Sequence, residues 1–156
     1  MKTLELREKV LGKEHPRTLG SMNNLGLLYE SQGRYEDSEP LYVKTLELRK
    51  RVLGKDHPDT LASMNNLGLL YDSQGRYEES EPLYVNTLEL SKRVLGEEHP
   101  RTLMFMNNLA NLYHRQGRYE EAEPLYVKTL ELNTKVLGSE HPDTLASMNN
   151  LAGLYE

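Results

Sequence analysis

The 156-residue sequence has no cysteine, no tryptophan and no isoleucine, and a single phenylalanine. Without cysteine there are no disulfides, no thiolate zinc sites and no cysteine nucleophile. Strand-forming residues are scarce as well. Valine occurs seven times, which disfavours a sheet protein or a doubly wound α/β enzyme. No apolar run approaches the roughly 18 residues of a membrane span, and Glu5, Glu8 and Glu14 deny the N-terminal stretch any signal-peptide character. The default expectation is therefore a soluble, cytoplasmic chain. A net charge of −5 argues against a duplex nucleic-acid binder, which would carry a basic face. The apolar share of 37% is low for a globular domain, and on composition alone partial disorder would be a fair expectation.

What is present is leucine, which supplies 29 of the 37 Leu, Ile, Val and Phe residues, and a repeat. Residues 2–43, 44–85 and 86–127 are three copies of one 42-residue unit, and 128–156 begins a fourth. The second copy departs from the first at seven positions, so 42 − 7 = 35 are identical. Similarity of that order means recent duplication or consensus design.

Gly and Pro punctuate each unit. Leu53-Gly54 followed by His57-Pro58 reads as a helix ending on a left-handed glycine and another opening with proline in its first turn. A second break falls at Gly33, Gly75 and Gly117. Between breaks, apolar residues recur at three and four: Leu61, Met64, Leu67, Gly68 and Tyr71, then Tyr77, Ser80, Tyr84, Thr87, Leu88, Val94 and Leu95. Each unit is thus a pair of antiparallel helices, A and B. The spacing predicts a partial helix B over 1–11, then helices over 16–32 and 35–53, 58–74 and 77–95, 100–116 and 119–137, and a partial helix A over 142–156. Acidic residues open helix B and basic ones close it, complementing the helix dipole. Pro40, Pro82 and Pro124 fall inside helix B and predict a bend, or an irregular start before the proline. One such hairpin has too little core to stand alone, so the expected fold is an all-α solenoid whose helix pairs stack and bury one another's apolar stripes. A low apolar average then signals elongation.

Leu67, Gly68, Tyr71, Gly75, Tyr77, Ser80, Tyr84 and Thr87 fall in the order and spacing of a tetratricopeptide repeat. The 42-residue period, the Val94-Leu95-Gly96-x-x-His99-Pro100 linker and the Met64-Asn65-Asn66-Leu67 element make the unit similar to the kinesin light chain subtype. Ser38, Ser80, Thr45, Thr87 and Thr129 stand where the family has Ala. The resemblance implies a right-handed superhelix whose A helices line a concave groove holding a peptide or partner protein. Nothing in the chain resembles the heptad segment by which light chains join a motor.

If Met64, Leu67, Gly68 and Tyr71 face the core, the stripe rotated away from them carries the candidate binding residues. These are Asn23 and Leu27 in the first unit, Asn65 and Leu69 in the second, Met104, Asn107, Asn111 and His114 in the third, and Asn149 in the fourth. Paired asparagines inside a helix cost roughly half a kcal/mol each against Ala, yet Asn-Asn stands in all four A helices. A carboxamide offers a donor and an acceptor, which reading an extended peptide backbone requires. Alternatively, the second Asn of each pair (24, 66, 108, 150) bonds across to a neighbouring repeat. The third unit departs most, at Met104, Phe105, Asn111, His114 and Arg115, mostly toward the groove or its rim.

Other residues carry less. The pairs at His15, His57, His99 and His141 lie about one repeat apart, too far to share a metal ion, and read as loop residues before a helix start. The ten tyrosines follow the packing period. There is no Gly-rich phosphate loop, HExxH or GxSxG, so neither a catalytic site, a metal nor a cofactor is expected. Both ends fall within helices. That permits head-to-tail association of copies through the terminal helices, or excision from a longer array. The reading is a non-catalytic scaffold for a protein or peptide ligand in the groove, without nucleic-acid or membrane partners; a self-assembling repeat array is the alternative.

Overall fold

The computed structural model describes residues 2–155. Among them are eight helices and no strand: α1 (Lys2–Leu11), α2 (Pro16–Ser31), α3 (Tyr35–Val52), α4 (Pro58–Ser73), α5 (Tyr77–Val94), α6 (Pro100–Arg115), α7 (Tyr119–Leu137) and α8 (Pro142–Ala152). The chain divides into two compact units, residues 1–76 and 77–156. In the first, α1 packs on α2, α2 on α3 and α3 on α4; in the second, α5 packs on α6, α6 on α7 and α7 on α8. Each is a run of consecutively packed helix pairs. No helix among the described residues is long and apolar enough to cross a membrane.

The two breaks use glycine differently. At the end of α2, Gly33 has φ +70°, its N–H bonds to Glu30 O at 2.8 Å, and Arg34 N–H reaches back to Tyr29 O at 2.9 Å. This is a Schellman turn, which satisfies two terminal carbonyls and reverses the chain tightly into α3. At the other break Gly138 takes φ 93°, ψ 162°, an extended mirror conformation rather than the left-handed helical one expected there. The histidine that follows has a defined job. His57 Nδ1 accepts the N–H of Asp59 at 3.1 Å, and His15, His99 and His141 do the same for Arg17, Arg101 and Asp143. Each histidine is an N-cap ahead of a proline at the first helical position. Thr60 Oγ1 closes the loop by donating to Gly54 O at 2.8 Å.

One expectation narrows and another changes. The B helices do not start irregularly: α3, α5 and α7 begin at Tyr35, Tyr77 and Tyr119 and run through Pro40, Pro82 and Pro124. The carbonyl each proline leaves unbonded belongs to Glu36, Glu78 or Glu120, all exposed, where water can serve it. The last helix, expected over 142–156, ends at Ala152. Leu154 N–H bonds to Leu151 O and Tyr155 N–H to Ala152 O, so the end tightens into three-residue turns, as helix termini do when later donors are lacking. Glu156 lies outside the described residues.

Within a helix pair, close approach is set by small residues. A Cβ on Gly26 would lie 2.6 Å from Tyr42 Cε1, and Ser38 Oγ donates to Gly26 O at 2.8 Å, so α2 and α3 meet nearly backbone to ring. Between pairs, one position on helix B sets the contact. Arg49 Nη1 donates to Asp59 O at 2.9 Å and Ser63 Oγ at 2.8 Å, and Arg7 bonds the equivalent Arg17 O and Ser21 Oγ. Asn133 Nδ2 reaches Ser147 Oγ at 2.8 Å and Asp143 O at 3.5 Å. The remaining member of this set is Ser91, buried and bonded back to Leu88 O. At the position of its partner by repeat equivalence, where the other units carry serine, stands Phe105, 1% exposed. Small meets large here in place of arginine meeting serine.

Charged groups tie the ends of the pairs. Glu39 of α3 accepts Arg76 Nη1 at 2.7 Å and Tyr71 OH at 3.1 Å, while the Arg76 guanidinium lies 4.1 Å from the centre of the Tyr71 ring. Glu81, Arg118 and Tyr113 repeat the arrangement in the second unit.

Candidate peptide-binding face

The asparagines of adjacent A helices are linked. Within residues 1–76 Asn66 Nδ2 donates to Asn23 Oδ1 at 3.0 Å; within 77–156 Asn150 Nδ2 donates to Asn107 Oδ1 at 2.9 Å. The two roles weighed for these residues are therefore not exclusive. The second Asn of one helix bonds the first Asn of the preceding A helix, and each bonded pair still carries one amide donor (Asn23 or Asn107 Nδ2) and one amide acceptor (Asn66 or Asn150 Oδ1) with no partner among the described residues. These amides are half-buried, within reach of a ligand.

The other candidates divide by exposure. Leu27 and Met104 are 45% and 46% exposed, Leu69 is half-buried, and Asn149 is exposed. Asn65 lies buried at 3% exposure, unlike its counterparts Asn23, Asn107 and Asn149. Asn111 and His114 turn toward the core side. Asn111 Oδ1 accepts Tyr126 OH at 2.6 Å, and the His114 ring lies 5.5 Å from that of Tyr119 and 6.4 Å from that of Tyr126.

A coupled exchange explains that placement. In the first unit Tyr42 OH donates to Glu30 Oε2 at 2.7 Å. The third unit has His114 at the position of Glu30, Asn111 at that of Leu27, Ala110 at that of Gly26 and Ala122 at that of Ser38. An alanine Cβ at Gly26 would press on the tyrosine ring, and with the carboxylate gone the hydroxyl needs a new acceptor, which Asn111 supplies. Ala110, Ala122 and Tyr126 form one buried cluster. With Phe105 in the core, much of the third unit's divergence is compensated repacking rather than drift toward the groove.

A cavity of about 320 Å³ lies between α6, α7 and α8, lined by Leu103, Met104, Asn107, Asn133, Leu137 and Ala146 among others. Of its lining, only Met104 and Asn107 stand among the candidates. Asn133 was missed, although its position reads Arg, Arg, Ser, Asn through the four copies, an inward-facing site that changes both size and charge.

Several titrations move away from neutrality. Burial, then Glu30, pushes Tyr42 up; burial raises Tyr126, against the pull of Arg115; and burial, then Glu81, raises Tyr113. The Arg118 hydrogen bond holds the Glu121 carboxyl down. Among the described residues no group of three His, Asp or Glu could hold a metal ion.

A family model described as tetratricopeptide repeat matches residues 1–50, 20–85, 73–126 and 101–156, which together span the chain. Among solved structures, a kinesin light chain-type protein with nearly identical TPR-like repeats from Podosopora anserina superposes with a TM-score of 0.82 at 30% identity, over 99% of this chain and 73% of that one. A variant of the same protein gives 0.84 at the same identity and coverage. BtubC (BKLC) from P. vanneervenii superposes with a TM-score of 0.86 over 99% of this chain and 61% of that one, at 24% identity, a likeness of fold alone. No curated protein matches the chain.

Proposed function

The chain belongs to the tetratricopeptide-repeat family, with repeats of the kinesin light chain-like kind, and from that premise we propose that it is a non-catalytic scaffold binding an extended peptide segment of a partner protein along its A helices. Tetratricopeptide repeats generally serve as protein-interaction scaffolds.

The observation that carries the reading is the pair of linked amides. Asn107 and Asn150 orient each other through one hydrogen bond, which fixes the direction of the remaining Nδ2 donor and Oδ1 acceptor. An extended peptide presents a C=O and an N–H to one side at comparable spacing, so each pair can take one of each, and Asn23 with Asn66 offers the same. Leu27 and Met104 add exposed apolar contact beside the amides. This accounts for tolerating asparagine inside four helices.

A peptide array probed with the wild-type chain and with the Asn23→Ala, Asn66→Ala, Asn107→Ala, Asn150→Ala quadruple variant tests the reading. Alanine is the better helix former by roughly half a kcal/mol per site, so the variant keeps its fold, which circular dichroism checks. Specific hits should vanish in the variant; an unchanged hit pattern refutes the proposal.

A further inference from the structure

We propose that the cavity between α6, α7 and α8 is a side-chain pocket of this binding face, opened by Asn133, and that it selects an uncharged apolar side chain of the bound peptide. The inference rests on the peptide-scaffold reading and adds to it the chemistry of one subsite.

Asn133 and Arg49 hold equivalent places and bond equivalent acceptors: Asp143 O and Ser147 Oγ for the one, Asp59 O and Ser63 Oγ for the other. The arginine spans the gap between helix B and the next A helix with a long side chain. Asparagine makes the same anchoring bond from a side chain shorter by three heavy atoms, and the space given up is part of the cavity, at the low end of the size range of ligand sites. The exchange also removes a charge. Arg49 is a buried cation, whereas Asn133 is neutral, and the cavity's two charged lining residues, Arg101 and Asp143, are of opposite sign. Leu103, Leu137, Met104 and Ala146 supply apolar wall. A charged ligand side chain would lose hydration against a wall whose net charge is zero and whose surface is mostly apolar; an aliphatic one gains burial.

The pocket also opens on the proposed ligand path. Met104 and Ala146 are exposed, and Asn107 and Asn150 line the same cavity, so a backbone held by those two amides would carry its side chain past the opening. Met104 stands where the first unit has Gly20, and its unbranched thioether can adapt to the shape of the guest.

The test uses the whole chain with methionine methyls labelled for NMR. N-acetyl-leucine methylamide is titrated in as the apolar probe, with N-acetyl-glycine methylamide and N-acetyl-lysine methylamide as comparisons. The leucine probe should shift the Met104 methyl and the Asn133 side-chain amide saturably, with an apparent affinity on the order of tenfold above the other two. Asn133→Arg should abolish that preference while the glycine probe still perturbs the Asn107 and Asn150 amides. Should Asn133→Arg fail to fold, Ala146→Leu fills the same space from the exposed side and should have the same effect. Equal shifts from all three probes, or a leucine preference that survives filling of the cavity, overturns the pocket. On the array, hits that depend on the asparagine pairs yet show no apolar enrichment, and that survive Asn133→Arg, remove the pocket alone. Hits indifferent to the asparagine pairs remove the scaffold reading beneath it.

Discussion

Phe105→Ser is expected to be among the most destabilising substitutions in the chain, and Ser91→Arg should rescue it. Phe105 is 1% exposed, and Ser91, its partner on α5 by repeat equivalence, is fully buried with its hydroxyl already committed to Leu88 O. Truncating a buried phenylalanine costs about 3–5 kcal/mol, because the lost transfer energy is joined by a cavity. Ser91 is too small to fill it. Ser91→Arg alone should be comparably harmful: its guanidinium would meet the aromatic ring, keep at most the Arg101 carbonyl as partner, and sit uncompensated in the core, a loss of about 3 kcal/mol or more.

The double variant rebuilds at this interface the arrangement that Arg49 makes with Ser63 and Asp59 O. It should therefore be more stable than either single variant, with a coupling of at least ~2 kcal/mol, where independent sites would add. The four proteins can be compared by urea unfolding followed by circular dichroism. Amide exchange along α5 and α6 reads the loss locally, since helical-repeat chains need not unfold as one unit. Additive effects would refute the reasoning, because they would mean that the two positions do not share one packing volume.

Gly26→Ala should cost about 1–3 kcal/mol by overpacking, less about 1 kcal/mol of helix propensity, since the new Cβ falls 2.6 Å from Tyr42 Cε1. Adding Leu27→Asn, Glu30→His and Ser38→Ala, which copies the third unit, should recover the loss in a thermal melt; no recovery would mean that the third unit relieves the strain by other means. His57→Ala should cost about 0.5–2 kcal/mol through the lost N-cap, whereas His57→Asn, a stronger capping residue, should hold or raise the unfolding midpoint; equal losses would show the ring to matter by packing. Tyr42 is fully buried and its ionisation is pushed well above the ordinary value of 10.0 by burial and by Glu30. Its hydroxyl ionises near 10 only in the unfolded chain, so its contribution is whole below that pH and is lost as pH rises above it, at up to ~1.4 kcal/mol per pH unit. Tyr42→Phe should flatten the alkaline fall in urea midpoint, and an unaltered slope would contradict the assignment.

The helices were legible because their signals are local and repeated: His-Pro and Gly mark the breaks, and leucines at three and four mark the faces. What the sequence concealed is relational. His57 reads as a loop residue until its Nδ1 is found on the Asp59 N–H, because histidine is an uncommon cap and a ring nitrogen's direction is not written in spacing. Asn111 and His114 read as groove residues, since the helical wheel places them near that face; their inward contacts accompany Ala110 in place of glycine and His114 in place of a carboxylate, a relation among four side chains on two helices. In a chain of near-identical copies such a relation can be read where copies differ in concert. Gly26, Leu27, Glu30 and Ser38 change together to Ala110, Asn111, His114 and Ala122, and Arg49 with Ser63 changes to Ser91 with Phe105. Each set conserves a packing volume or a hydroxyl's partner. Asn133 departs from that rule: arginine is lost, Ser147 opposite it stays serine, and Met104, larger than the Gly20 it replaces, lines the space without closing it. An exchange that leaves a cavity open, in a series otherwise compensated, is the mark of a position released from packing, which is why the proposed ligand selectivity lies in the pocket beside Asn133 rather than on the more divergent face around His114.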